Sequence, residues 1–401
     1  MEKDLVLEKC RIAKESSSEL LSLTYVQRNN ALMKLSKKLK DLNFLDEVLS
    51  ENKKDVKLAL ENHFAESLIN RLILTKDLLL QLSQTCIDIC NQANVVGELN
   101  FLREQKNGLK IYNQQIPLGV IAIIFESRPN VIVDSMALAI KSGNGLILKG
   151  GKEAFYTNRI LFSELKNSLK EIYPIDSLQF IESREDVSKI LKLKNYIDVI
   201  IPRGGSSLIE FVKANALMPV IAHDKGLCHL YVHSDCTVDA KKIILNAKVQ
   251  RPGVCNSLET LIIHEDYLKI NEIIEALENE GVEVIKNPTD LDFCSEWLSK
   301  KLSLKIVKSH QEAILHIKKY SSKHTEAILC HEEKIFQEFL NQCDSSCLIH
   351  NASTRFNDGG ELGIGAEIGI STSKFHAFGP MGAKELTSNR FVVLGNGQTR
   401  I

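Results

Sequence analysis

The chain has 401 residues, of which 44% are hydrophobic and 25% charged, and its formal net charge is −1. This length allows one to three domains with a large buried core. The balanced charge argues against a nucleic-acid partner or a disordered acidic tail. The start Met1-Glu2-Lys3-Asp4 lacks the apolar region of a secretion signal, and no segment reaches the ~18 apolar residues of a membrane helix. We therefore expect a cytoplasmic protein that does not bind a membrane.

Ten cysteines are scattered along the chain, as is typical of reduced thiols in a cytosolic protein. Cys343 and Cys347 have His350 and Cys330 in the sequence nearby, which makes a zinc site one alternative. Structural zinc sites usually use a tighter two-residue gap between cysteines. Thiols buried in a core explain the pattern better, and we predict no metal.

Residues 1 to about 100 are rich in Lys, Glu, Leu and Ala and contain no proline. Apolar residues recur at three- and four-residue spacing, for example Leu32, Leu35 and Leu39. This periodicity predicts a helical region. The run Ser16-Ser17-Ser18 is expected to interrupt the first helix.

Short apolar runs alternate with helical patterns between residues 109 and 216. The predicted strands cover 109–117, 120–125, 146–148, 178–181 and 197–201, and the predicted helices cover 133–142, 153–171, 185–193 and 206–216. This alternation is typical of a parallel, doubly wound α/β sheet. Ligands bind beyond the carboxyl ends of strands in such sheets. The polar stretches Glu126–Asn130, Lys149–Gly151 and Arg203–Ser206 follow three of these strands, so we expect them at one ligand-binding edge.

A second alternating region predicts a second α/β domain. Its strands are expected at 230–232, 261–263, 282–285, 304–307 and 327–329, with helices near 239–249, 268–278 and 310–319. Residues 357–383 are rich in glycine and are predicted to be a loop. The run 391–394 is predicted to be a final strand.

One stretch after a predicted strand has the composition of an anion site, Arg203-Gly204-Gly205-Ser206. The glycines allow a close backbone approach, the arginine supplies charge, and Ser206 is expected to cap a helix whose amino end attracts anions. A simple turn between strand and helix is the alternative. Lys149 ends another strand, where it can bind a ribose or phosphate or be an ordinary solvated lysine. Neither standard phosphate-binding glycine motif is complete.

Cys255 differs from the other cysteines in its setting, because it follows Arg251, Pro252 and Gly253 and precedes Asn256. Proline and glycine shape a tight loop, and a nearby arginine favours the thiolate form. Such a thiol is a candidate nucleophile, although a loop cysteine without a role is the alternative.

Six motifs occur in a fixed order, namely Pro117–Val120, Glu126–Asn130, Pro202–Gly205, His223–Val232, Gln250–Asn256 and His376–Gly382. Together they resemble the gamma-glutamyl phosphate reductases, also called glutamate-5-semialdehyde dehydrogenases, a branch of the aldehyde dehydrogenase superfamily. The resemblance extends from about residue 5 to residue 400. It implies NADPH-dependent reduction of L-glutamyl 5-phosphate to L-glutamate 5-semialdehyde, with release of phosphate, in proline biosynthesis.

The resemblance also implies roles for individual residues. Cys255 matches the nucleophile that forms a thioester, and Asn130 matches an asparagine that stabilises an oxyanion. Lys149 falls where the superfamily contacts the adenosine ribose, and Arg203–Ser206 fall at the pyrophosphate of NADPH.

The implied architecture is that of an aldehyde dehydrogenase. A cofactor-binding domain covers 1–229, with 358–379 returning to it and 109–117 in a small β-flap. A catalytic domain covers 230–357, and 380–401 form an oligomerisation segment. The partners implied are copies of the same chain and, transiently, a separate glutamate kinase that supplies the acyl phosphate.

Two positions distinguish this chain from related patterns. His223 replaces the glutamate that activates water in hydrolytic aldehyde dehydrogenases, which is consistent with a thioester resolved by hydride. Phe378 replaces an arginine that is common in the family. The alternatives are another superfamily enzyme, acting on a different aldehyde or an acyl-CoA, and a non-catalytic binding protein that retains the fold.

Overall fold

The computed structural model describes residues 4–182, 186–222 and 225–400. Two compact units make up the chain. The first comprises Met1–Ala222, Gly363–Gly369 and Met381–Ile401, and the second comprises His223–Leu362 and Ile370–Pro380.

The first hundred residues are largely helical, as predicted. The helices are α1 (Leu5–Leu20), α2 (Tyr25–Lys38), α3 (Leu42–Glu61), α4 (Glu66–Leu72) and α5 (Lys76–Asn91). The prediction of a break at Ser16–Ser18 is wrong, because α1 continues through this run. Ser17 and Ser18 donate their hydroxyls to carbonyl oxygens one turn earlier, at 2.7 and 2.8 Å, which satisfies both serines inside the helix.

The rest of the first unit alternates between strands and helices. The elements are β1 (Leu99–Glu104), β2 (Lys110–Pro117), β3 (Val120–Phe125), α6 (Val131–Ser142), β4 (Gly145–Lys149), α7 (Phe155–Ser168), β5 (Leu178–Ile181), α8 (Asp186–Ile190), β6 (Val199–Arg203) and α9 (Ser206–Asn215). Strands β3 to β6 form a parallel sheet in the order β5-β4-β3-β6. Nearly every residue of this sheet is buried, which explains the uninterrupted apolar runs in the sequence.

The second unit contains a larger parallel sheet. Its elements are β7 (Cys228–Val232), α10 (Ala240–Val249), β8 (Leu258–His264), α11 (Ile270–Asn279), β9 (Glu283–Ile285), α12 (Asp290–Phe293), β10 (Lys301–Val307), α13 (His310–Tyr320), β11 (Thr325–Leu329), α14 (Glu333–Gln342), β12 (Cys347–His350), β13 (Ile370–Ser371) and β14 (Gly379–Pro380). The strand order is β12-β11-β7-β8-β10-β9. Apolar residues of α10 and α11 cover one face, and those of α13 and α14 cover the other. The second α/β region predicted from the sequence is therefore present, and its sheet has helices on both faces.

Several short elements were not predicted from the sequence. Strand β1 has an exposed side chain at every position, so it shows no alternation of buried and exposed residues. Helix α14 and strand β12 are short, and neither was identified from the pattern of apolar residues. The glycine-rich region is a loop for most of its length, but β13 and β14 pair within it as two short antiparallel strands.

A small antiparallel sheet belongs to the first unit. It is completed by β15 (Thr387–Leu394), and its order is β1-β2-β15. Both outer strands expose large apolar side chains. These are Leu99, Phe101, Leu102, Phe391, Val393 and Leu394. A sheet with two open edges and exposed apolar residues is an unusual surface for an isolated chain.

Among the residues that the structure describes, no helix is long and apolar enough to cross a membrane. The same residues include no group of three or more His, Cys, Asp or Glu side chains arranged to hold a metal ion. Cys330 and His350 lie close together, with Sγ and Nε2 3.5 Å apart, but they are not part of such a group.

Candidate active site

The Cys255 loop connects α10 to β8, and it lies at the amino end of β8. Strand β7 lies beside β8 in the sheet and β11 lies beside β7, and all three strands are parallel. The residues that precede these strands therefore lie near the loop. Cys255 itself is partly buried. The sequence predicted the loop but not the edge of the sheet at which it lies.

Backbone packing fixes the position of the Cys255 loop. A Cβ atom on Gly226 would lie 2.0 Å from the carbonyl oxygen of Cys255, so only glycine allows this approach. The thiol of Cys228 donates to the same carbonyl at 3.2 Å. Burial raises the pKa of Cys228 well above its usual value, which keeps its proton in place as a donor. Cys228 therefore supports the loop from the core.

A second contact comes from the segment 354–357, which we call the brace. Thr354 Oγ1 donates to the carbonyl of Asn256 at 2.7 Å. The side-chain amide of Asn256 donates to the carbonyls of Asn357 and Arg355 at 3.0 and 3.3 Å. Asn357 Nδ2 in turn donates to Thr325 Oγ1 at 2.8 Å. The brace thus connects the residue after Cys255 to the start of β11.

A buried ion pair stands at the base of the same loop. Lys248 Nζ lies 3.3 Å from Glu259 Oε2, and both side chains are almost completely buried. Burial raises the pKa of Glu259 and lowers that of Lys248. Glu259 also accepts the backbone N–H groups of Trp297 and Leu298, at 3.1 and 3.3 Å. These partners compensate the buried charges and hold the flanking chain in place.

The first unit presents its predicted site residues at the carboxyl ends of β3, β4 and β6. Glu126, just after β3, accepts the N–H of Gly205 at 2.9 Å. A Cβ atom on Gly204 would lie 2.3 Å from the same carboxylate. The polar tails predicted to share one edge therefore meet there. The prediction that Ser206 caps α9 is wrong, because the N-cap is Gly205, without a side-chain cap.

A second carboxylate occupies this edge. Glu153 Oε1 accepts the backbone N–H and the hydroxyl of Ser127, at 2.6 and 2.8 Å. Ser127 has a positive φ of 46°, a strained conformation that this pair of hydrogen bonds stabilises. Lys149 ends β4, is 5% exposed and donates to the carbonyl of Gly150. Lys149 is thus a buried strand-end lysine and not a solvated one.

Asn130 lies at the start of α6, where its Nδ2 donates to Asp134 Oδ2 at 3.2 Å. Burial raises the pKa of Asp134 to about 6, against the opposing effects of Asn130 and of the positive charge of Arg203. An amide nitrogen carries two hydrogens, and Asp134 takes one of them. The structure thus places Asn130, Asp134 and Arg203 in one neighbourhood of the first unit.

Other residues of the family motifs have defined surroundings. His229 is fully buried, and its Nδ1 lies 2.9 Å from Glu326 Oε2. Lys374 Nζ lies over the ring of Phe378, 5.4 Å from its centre, where the family commonly has an arginine. His223, predicted to replace a water-activating glutamate, lies outside the described residues.

Sequence reasoning missed the brace and its arginine. Arg355 Nε donates to Gln250 Oε1 at 3.1 Å, so one residue contacts both ends of the Cys255 loop. Nothing in a single sequence links positions about a hundred residues apart. The only available signal was the polar composition of 353–358 just before the glycine-rich region.

Comparison with known proteins gives a consistent result. The sequence is 43% identical to a gamma-glutamyl phosphate reductase from Nautilia profundicola, covering 98% of this chain and 99% of that protein. The crystal structure of the Thermotoga maritima gamma-glutamyl phosphate reductase matches with a TM-score of 0.93 at 39% identity, covering 99% and 100% of the two chains.

A more distant structure has the same fold. An acetylating aldehyde dehydrogenase from Geobacillus thermoglucosidasius matches with a TM-score of 0.73 at 15% identity, covering 99% of this chain and 97% of that one. No family model matches the chain. The predicted aldehyde dehydrogenase-like α/β fold is therefore confirmed.

Proposed function

Because the chain belongs to the gamma-glutamyl phosphate reductase family, we propose that it reduces L-glutamyl 5-phosphate to L-glutamate 5-semialdehyde with NADPH and releases phosphate. The chain is an oxidoreductase with glutamate-5-semialdehyde dehydrogenase activity, acting at the reductive step of proline biosynthesis. The observation that carries the proposal is similarity over essentially the full length of both relatives.

Cys255 is the proposed nucleophile. Its sulfur attacks C5 of the acyl phosphate, a C–S bond forms, and the C–O bond to phosphate breaks with its electron pair. The resulting thioester holds the glutamyl group on Cys255. When the aldehyde forms, the C–S bond breaks and the thiolate is restored. The packing of Gly226 and the brace supports this role, because both fix the backbone that carries the thiol.

Asn130 is proposed to stabilise the oxyanion that develops on the substrate. The family motif Glu126–Asn130 supports this role. The second hydrogen of the Asn130 amide also supports it, because the hydrogen bond to Asp134 uses only one of the two. The proposed roles of Cys255 and Asn130 rest on the family motifs as well as on the local contacts of these residues.

The residues of the first unit fit a nicotinamide dinucleotide. The N–H of Gly205 at the start of α9 already binds a carboxylate oxygen of Glu126, which stands in for an anionic phosphate group. Lys149 and Arg203 add positive charge at the ends of β4 and β6, the two strands that flank β3. We propose that Arg203, Gly204, Gly205 and Ser206 hold the pyrophosphate and that Lys149 holds the ribose. When bound, NADPH supplies a hydride.

The test is the reverse reaction, with glutamate semialdehyde and NADP⁺ in the presence and absence of inorganic phosphate. NADPH formation that depends on phosphate supports the proposal, because phosphate is then the group that releases the acyl chain from Cys255. Equal rates without phosphate would mean that water releases the thioester, and the proposed reaction would be wrong. Replacing NADP⁺ with NAD⁺ in the same assay tests the choice of cofactor.

We also propose that the chain forms a homo-oligomer through the small sheet of β1, β2 and β15. Its exposed Phe101 and Phe391 support this. Changing Phe391 to Glu should lower the mass measured by sedimentation, and an unchanged mass would exclude this surface. A transient contact with a separate glutamate kinase and a cytoplasmic location stay predictions from the sequence.

A further inference from the structure

Arg355 is a partly buried arginine beside the proposed nucleophile. It lies in a short 3-10 helix, Thr354–Phe356, within the brace. Its backbone carbonyl accepts a hydrogen bond from the side-chain amide of Asn256, and its Nε donates a hydrogen bond to the side chain of Gln250. These two contacts hold Arg355 across the loop that contains Cys255. The remaining guanidinium nitrogens have no hydrogen-bond partner among the residues that the structure describes.

The charge of Arg355 is not balanced by an ion pair within the described part of the chain. Burial lowers its pKa, and nearby Arg251 lowers it further, whereas Asp358 and Cys255 raise it. Arg251 is exposed and likewise forms no ion pair with a described residue. Buried arginines are usually paired with an acid. Asp358 is close enough to affect Arg355 but forms no ion pair with it, and two neighbouring arginines that form no ion pair with the described residues suit a site that receives an anionic ligand.

The proposed reaction identifies this anion. Glutamyl 5-phosphate carries its phosphate on the carbon that Cys255 attacks, whereas its carboxylate is at the far end of the molecule. Planar guanidinium groups bind phosphate through two parallel hydrogen bonds.

We propose that Arg355, assisted by Arg251, binds the phosphate group that leaves when Cys255 attacks, and binds inorganic phosphate in the reverse reaction. This inference rests on the proposed function. The C–O electron pair departs with the phosphate, so its negative charge increases as the bond breaks. A cation at this position stabilises the leaving group more than the substrate.

The test is the phosphate-dependent oxidation of glutamate semialdehyde by R355Q and R355K. Loss of charge-assisted hydrogen bonds should raise KM for phosphate about ten- to hundredfold in R355Q. KM for the semialdehyde should change by less than about twofold. R355K retains the charge and should recover part of the loss, and R251Q should show a smaller increase. A rise in KM for the semialdehyde instead would assign Arg355 to the carboxylate and overturn the proposal.

Q250A is the matched control. It removes the hydrogen bond to Arg355 Nε but retains the guanidinium, so KM for phosphate should change by less than about twofold, whatever happens to kcat. If Q250A raised KM for phosphate as much as R355Q, alignment of the loop would explain the effect and the inference would fail. A lower kcat in R355Q with both KM values unchanged would also contradict the inference, because it would indicate alignment of the loop and not phosphate binding.

A measurement without turnover separates this inference from the proposed function. Inorganic phosphate should protect Cys255 of the wild-type protein against alkylation by iodoacetamide, and R355Q should lose that protection. Protection in a protein that shows no phosphate-dependent activity would support the anion site while the proposed function fails. Phosphate-dependent activity with equal protection in wild type and R355Q would overturn the anion site alone.

Discussion

The two units use opposite edges of their parallel sheets. In the first unit the site residues follow the carboxyl ends of β3, β4 and β6, as expected for doubly wound sheets. In the second unit the Cys255 loop precedes β8, at the amino ends of the strands. The candidate residues of only one unit therefore follow the rule that locates ligands in such sheets.

The two edges also differ in charge. In the first unit the carboxylates of Glu126 and Glu153 accept hydrogen bonds from backbone N–H groups. In the second unit amides and hydroxyls support the loop, and Arg355 has no acid partner among the described residues. The first edge already binds anions from its own chain, so the proposed cofactor would have to replace them. The second edge retains a cation that the proposed phosphate site would use.

The largest effect is expected from replacing Cys255, which should lower the rate of the reaction without changing the affinity for the cofactor. C255A should lower kcat by at least about 10³-fold, because the nucleophile is lost, while the dissociation constant of NADP⁺ is unchanged. Steady-state rates and fluorescence titration with NADP⁺ measure the two quantities. C294A, which removes an exposed thiol of the same unit, should retain activity. Near wild-type turnover in C255A would show that another group performs the chemistry.

A smaller effect is expected from the packing of the Cys255 loop. In G226A the new methyl group would lie 2.0 Å from the carbonyl oxygen of Cys255, so the loop has to move. Displacement of a nucleophile by about 1 Å can lower the rate about 10²-fold. In G253A the added carbon would lie 3.6 Å from its nearest neighbour, an ordinary contact, so its kcat should fall far less. Equal losses in both variants would contradict the steric argument.

The first edge can be tested through its charges. R203A should weaken NADP⁺ binding about tenfold by removing a charged donor, with KM for the semialdehyde nearly unchanged. E126Q removes the carboxylate at the start of α9 and should tighten NADP⁺ binding by about two- to fivefold. Titration of each variant with NADP⁺ gives both values. If R203A bound NADP⁺ as the wild type does, the assignment of this turn would be incorrect.

The last prediction concerns stability and not turnover or binding, and it involves Asp134, whose pKa is raised from 3.8 to about 6. A carboxyl group with a raised pKa stabilises the fold when protonated, and this contribution is lost as pH rises from about 4 through 6. D134N cannot lose a proton, so its advantage should grow over this range to at most about 3 kcal/mol.

Thermal unfolding at several pH values measures this difference, expected to be a few degrees at neutral pH. D46N, on an exposed position of α3, controls for the loss of one negative charge. A constant difference between D134N and wild type across the pH range would show that Asp134 is not responsible.

Much of the fold could be predicted because burial leaves a local pattern. The apolar runs of β3, β4 and β6 identified the first sheet, since both of its faces are covered. Strand β1 has no buried side chain and left no such pattern. The Ser16–Ser18 run was misleading because serine hydroxyls can also bond to carbonyls within a helix, as Ser17 and Ser18 do here.

The candidate site could likewise be predicted only in part from the sequence. Family motifs indicated Cys255, Asn130 and the Arg203–Ser206 turn from short stretches of sequence, and their roles stay proposals. The brace was not found, because Asn256 and Thr354 are distant in the chain and their contact exists only in the folded molecule.

The sequence by itself determined the alternation of strands and helices in the two parallel sheets, the family and the loop that presents Cys255, since these depend on local composition and spacing. The tertiary structure decided which edge of each sheet carries the polar groups, which carboxylate occupies Gly205, and that Arg355 spans the Cys255 loop without an acid partner among the described residues. These features depend on contacts between distant segments. Pairing of strands and burial of charge fix such contacts only when the whole chain is folded.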